Sequence, residues 1–178
     1  MRTVLFAAAA LFASACVSTA AKPPLTGPVQ AGADGNTPLE LVLKTYPHST
    51  DWSIESERGK VVLLDVWATW CEPCRDSLPL YHDLAKEFGP KGLKVYAMNV
   101  DADASQIPRF LEETKVTLPV LLDPNAKLAE AKLKVRMMPT AFLVDRKGVV
   151  RYVHEGFSEE FLQKYMTEIE GLLAEPAK

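Results

Sequence analysis

The sequence predicts an α/β domain built on a mixed sheet, and three patterns carry that expectation. Residues 61–67 are an almost wholly apolar, β-branched run, the mark of a central strand covered on both faces. Strand and helix patterns then alternate up to residue 133, the order expected of an α/β sheet. The chain closes on two strands joined by a tight turn and followed by a helix, which adds a hairpin.

With 178 residues, 48% apolar and 24% charged, the chain suits one globular domain with short appendages. Arg2 precedes an apolar run from Val4 to Ala13, and small residues follow from Ser14. That is the layout of a signal peptide, with an apolar core too short to span a bilayer. Ala13-Ser14-Ala15-Cys16 resembles a bacterial lipobox, in which the cysteine is lipidated and becomes the mature N-terminus. Ser18-Thr19-Ala20 offers instead an ordinary cleavage site and a soluble exported product. Residues 1–15 are thus read as a signal peptide of lipoprotein type and 16–38, rich in Pro, Gly, Ala and Thr, as a flexible tether. Residues 39–178 remain as the folded domain.

Within it, Leu39, Leu41 and Leu43 alternate with Glu40, Val42 and Lys44 in a strand pattern, and residues 46–59 read as a polar connection holding Trp52 and Ile54. After the strand at 61–67, Leu78, Tyr81, Leu84, Ala85 and Phe88 recur at helical spacing until Gly89-Pro90 stops them. Residues 94–100 form the next strand. Ser105 opens a helix that tolerates Pro108 because first-turn amides lack intrahelical acceptors. A short strand at 119–122, a helix at 125–133, a strand at 140–144, a turn at 145–148 and a partner strand at 149–153 follow. Ser158 reads as the N-cap of the last helix, with Glu159 and Glu160 in its first turn and Phe161, Leu162, Tyr165, Met166, Ile169, Leu172 and Leu173 as its buried stripe.

A net charge of −3 offers no basic surface for phosphates, so nucleic acid is not an expected partner. The chemistry lies at Trp70-Cys71-Glu72-Pro73-Cys74. Disulfide exchange needs a thiolate that attacks and a second thiol close enough to resolve the mixed disulfide. Two intervening residues at a strand-to-helix junction place Cys71 at the helix N-terminus, where unpaired amides and the dipole stabilise negative charge, and Cys74 one turn in. Pro73 stiffens the loop between them. A closed zinc site wants four ligands, yet Cys16 is the one other cysteine and His48, His82 and His154 show no paired spacing, so no metal is expected. These histidines read as surface or capping residues, Arg75 as an exposed charge and Glu72 as solvated. Asp65 is a carboxylate within the apolar strand, and unpaired burial there raises its pKa, which suits a proton acceptor. The alternative is a strand-end Asp bonded to a loop.

Through residues 61–79, and again through Met138-Pro139-Thr140, the chain resembles the thioredoxin superfamily, most closely its exported TlpA/ResA-like branch. The resemblance spans roughly residues 39–173. It implies a thioredoxin fold, a mixed central sheet flanked by helices, with an inserted helix and strand at 106–123. It also implies Cys71 as nucleophile, Cys74 as resolving thiol and Asp65 as acceptor of the Cys74 proton. Trp70, Pro73, Met138 and Pro139 become the substrate-binding residues: Pro139 as a cis-proline packed on the disulfide, Met138 pairing its backbone with an extended substrate. Pro79 matches the proline inside the family's active-site helix. Ser77 stands where some relatives carry a glutamate, so nothing built on that acid transfers.

The implied activity is that of an exported thiol-disulfide oxidoreductase without a cofactor. It would act in the periplasm or cell envelope as a protein-disulfide reductase, in cytochrome c maturation or general thiol reduction. Its expected partners are disulfide-containing substrate proteins and a membrane thiol electron donor. The chain is expected to be a monomer, tethered to the membrane through lipidated Cys16 or else soluble. A disulfide-donating oxidant would use the same residues, and a Cu(I) carrier would use the two thiolates but pairs a wider CxxxC with a downstream histidine. A peroxidase wants a PxxxT/S-xxC pocket, and a static scaffold has no need of the intact motif.

Overall fold

A computed structural model describes residues 37–158 and 160–176 of the chain. The expected signal peptide, Cys16 and nearly all of the tether lie outside the described residues, as does Glu159.

The alternating leucines bury their side chains as expected, but the strand they lead into, β1, spans Val42–Tyr46. The stretch read as a polar connection contains a second strand, β2 (Asp51–Ser53), antiparallel to β1 with Leu43 opposite Trp52. Trp52 turns inward, its ring 4.7 Å from that of Tyr96, and its indole N–H donates to Glu57 at 3.2 Å. A buried aromatic with a satisfied polar handle anchors what the surrounding polar composition conceals. A 3₁₀ turn at Ile54–Glu57 leads to β3 (Val61–Trp67), every residue of which is buried.

Helix α1 (Cys74–Phe88) lays Leu78, Tyr81, Leu84 and Phe88 against the sheet and contains Pro79. Strand β4 (Leu93–Asn99), helix α2 (Ile107–Thr114) and strand β5 (Val120–Leu122) follow in the expected order. The helix expected at 125–133 is shorter, because Asn125 and Ala126 take left-handed conformations and α3 spans Lys127–Ala131. Asp123 replaces the missing turn by accepting the amides of Leu128 and Ala129 at 2.8–3.0 Å. Strands β6 (Thr140–Val144) and β7 (Val150–Glu155) form the expected hairpin. Its turn places Gly148 at φ +79°, where an added Cβ would strike the Arg58 guanidinium. Helix α4 spans Phe161–Ala174, so Ser158 is not its N-cap; the Ser158 hydroxyl accepts the Glu160 amide one turn earlier, and Glu160 itself occupies the cap.

The seven strands order as β2-β1-β5-β4-β3-β6-β7. The pairs β3·β4 and β4·β5 are parallel and the remaining neighbours antiparallel, giving the mixed sheet read from the sequence. The helix and strand of the 106–123 unit add β5 between β4 and β1.

Candidate active site

Strand β3 delivers the chain to the site, and the end of β4 holds it there. The Val100 amide donates to Trp67 O at 3.0 Å, and the Asp101 carboxylate accepts the Thr69 amide at 3.0 Å. Asp101 is itself buried and fixed by Asn99, whose side-chain amide donates to it at 2.8 Å. Trp70 therefore projects from an anchored loop and remains 70% exposed.

Cys71 and Cys74 are joined in a disulfide with Cα atoms 5.4 Å apart. The Cys74 amide donates to Cys71 O at 3.2 Å, and the Arg75 and Asp76 amides continue the turn on Glu72 O and Pro73 O. Cys74 is the first residue of α1 and Pro73 its cap, with φ −64°, so Cys71 precedes the helix by one turn. Cys71 keeps 6% exposure and Cys74 none, which leaves the first cysteine as the one that solvent reaches.

The second expected segment comes to the same place. The Met138–Pro139 bond is cis; Thr140 Oγ1 donates to Met137 O at 2.7 Å, and the Gly156 amide donates to Pro139 O at 2.8 Å. Trp70 and Met138 line one groove of about 260 Å³ together with Val66, Val100, Ala129 and Val135. A larger cavity of about 580 Å³, between Leu39, Arg58 and Lys132, shares no residue with this site.

Asp65 lies at mid-strand, fully buried, and neither of its oxygens has a hydrogen-bond partner among the described residues. It is thus not a strand-end residue bonded to a loop, and burial pushes its carboxyl well above the usual range. Ser77 is also buried, its hydroxyl 3.5 Å from Cys74 O.

His154 departs from its reading as a surface or capping residue, and other polar side chains find partners. His154 is buried, with Nε2 2.6 Å from Glu168 Oε2, and His82 Nε2 stands 2.9 Å from Thr117 Oγ1. Arg75, expected as an exposed charge, is half-buried: it donates to Glu113 at 3.0 Å and stacks 4.9 Å from the Phe110 ring. Glu72 is solvated as expected, 3.8 Å from Arg75. Asp101 and the hydroxyl pair of Tyr81 and Tyr165, 2.9 Å apart, were not singled out in the sequence. The tyrosines were legible as apolar stripe positions, and the signal in them was that a buried phenol needs a partner.

A profile of the redoxin family matches residues 30–168. The thioredoxin-like protein YneN of Bacillus subtilis is 37% identical over 126 residues, which cover 69% of this chain and 72% of YneN. The thiol-disulfide oxidoreductase ResA of Oceanobacillus iheyensis is 29% identical over 139 residues, 76% of this chain and 72% of ResA. Among solved structures, a candidate thiol:disulfide interchange protein DsbE from Chlorobium tepidum superposes with a TM-score of 0.71 at 31% identity. That match covers 76% of this chain and 94% of the other.

Proposed function

The chain belongs to the redoxin family, and on that premise we propose that this thiol-disulfide oxidoreductase is an exported protein-disulfide reductase working through Cys71 and Cys74. The observation that carries the reading is the Cys71–Cys74 disulfide at the start of α1, one residue reachable and the other closed, beside the groove shared by Trp70 and Met138.

In the reduced protein the Cys71 thiolate attacks a disulfide sulfur of the substrate, and the other substrate sulfur leaves. The amides opening α1 favour the negative charge on Cys71. Cys74 then gives its proton to Asp65 and attacks Cys71 Sγ, which frees the second substrate sulfur. Two electrons pass to the substrate, and the chain is left as the disulfide. Met138 pairs its backbone with the extended substrate segment, while Trp70, Pro73 and Pro139 frame it. A membrane thiol donor returns the disulfide to the dithiol.

Trapping tests the roles of the two sulfurs. Cys74→Ser should accumulate mixed disulfides with substrate proteins, and Cys71→Ser should form none; turnover retained by Cys71→Ser would overturn the assignment. Export and lipidation rest on residues 1–16. Labelled palmitate should enter the full chain in a bacterial host and be absent from Cys16→Ala, and an unlabelled exported protein would point to the soluble product.

A further inference from the structure

One row of paired residues crosses four strands: Ala97 on β4, Asp65 on β3, Ala141 on β6 and His154 on β7. Directly paired residues project to the same face of a sheet, so the carboxyl and the imidazole share a face, with an alanine on each side of Asp65. Two fully buried tyrosines come to this face from the covering helices, Tyr81 from α1 and Tyr165 from α4, with their hydroxyls 2.9 Å apart. The Tyr165 ring lies 4.3 Å from the His154 ring, and His154 is bound to Glu168 on the next turn of α4. Burial raises both phenols, and the charge of Asp65 adds to the rise. On the buried side of the covering helices stand Cys74, Ser77 and Tyr81 of α1 and Tyr165 of α4, while His154 with Glu168 lies beyond Ala141.

We propose that Tyr81 and Tyr165 are positioning residues for proton transfer at Asp65, their paired hydroxyls, steadied by His154 and Glu168, setting how readily Asp65 takes the Cys74 proton. The proposal rests on the reading of Asp65 as that acceptor. In the step concerned, the Cys74 S–H bond breaks and the proton goes to an Asp65 oxygen. The sulfur electron pair forms the bond to Cys71 Sγ, and the bond from Cys71 to the substrate sulfur breaks. A carboxylate in an apolar layer depends on nearby dipoles, and these two hydroxyls are bound to each other beside the row, whereas the buried Ser77 hydroxyl of α1 lies 3.5 Å from Cys74 O.

The test is stopped-flow reaction of the reduced protein with 5,5′-dithiobis(2-nitrobenzoate) across pH. The first thionitrobenzoate released reports attack by Cys71 and the second reports resolution by Cys74. Asp65 accepts only as the carboxylate, so the second phase should accelerate as pH rises through its titration. Asp65→Asn should remove that limb, which assigns it to Asp65 and not to His154. Tyr81→Phe and Tyr165→Phe remove a dipole from the carboxylate, so each should move the limb up by about 0.5–1 pH unit and leave the first phase unchanged. The double variant should move it no further than the larger single shift, because the hydroxyls act as a pair. The rings remain in all three, and the double variant leaves no phenol unpaired, so loss of packing cannot stand in for the effect. A wild-type limb in every Phe variant, with the limb gone in Asp65→Asn, would overturn the tyrosine role alone. A limb that survives Asp65→Asn would overturn the acceptor reading beneath it.

Discussion

The Asp101 carboxylate accepts the Thr69 amide at 3.0 Å, so the end of β4 fixes the loop that aims Trp70 and Cys71. Asp101→Ala leaves that amide, and the Asn99 side chain bound to the same carboxylate, without their acceptor. The loss should be about 1–3 kcal/mol of stability, read by urea denaturation, with slower attack by Cys71 on a model disulfide. Unchanged values for both would mean that the loop is held by its own turn.

Asp65 makes stability fall with rising pH. Its native carboxyl titrates above the unfolded value because burial disfavours the charge, so the native state binds the proton more tightly. The contribution is fully present below the unfolded value of about 3.9 and is lost as pH rises through the raised native value. Asp65→Asn, which carries no charge, should therefore be the more stable protein at neutral pH by more than the ~0.5 kcal/mol scatter of surface substitutions. The gap should close toward pH 4, as followed by denaturation midpoints across pH.

Trp70 is 70% exposed, so Trp70→Ala should cost less than about 0.5 kcal/mol. If its ring frames the substrate, turnover of a protein disulfide should fall by roughly an order of magnitude more than that of a small aromatic disulfide. Equal losses on both substrates would remove Trp70 from substrate contact.

Arg75 ties α1 to α2 through Phe110 and Glu113. Arg75→Ala should cost about 0.5–1 kcal/mol, chiefly through the lost stacking, with little change between low and high salt. A loss that disappears in high salt would assign it to the ion pairs.

The legible part of the molecule was the part whose signal is local. The apolar run of β3, the CxxC spacing and the stripe of α1 each declare themselves within a few residues, and the resemblance supplied Pro139. What stayed hidden depends on side-chain contacts and caps that hydrophobic periodicity does not register. Strand β2 exists because Trp52 finds Tyr96 and Glu57. Helix α3 is short because Asp123 caps it across left-handed Asn125 and Ala126. His154 looked like a surface residue because its partner, Glu168, comes from the next helix. Asp65 was legible as a buried acid, whereas its tyrosine neighbours came to light only with the sheet register and the helices docked on it.

The redox potential tests the reductase reading most directly. Residues 39–178 would be equilibrated against dithiothreitol and glutathione buffers, with the fluorescence of Trp67 and Trp70 reporting the Cys71–Cys74 couple. A reversible two-electron transition at or below about −230 mV is expected of a protein-disulfide reductase. A value of about −120 mV would contradict it and make the chain a disulfide donor, and no reversible transition at all would contradict thiol-disulfide exchange itself.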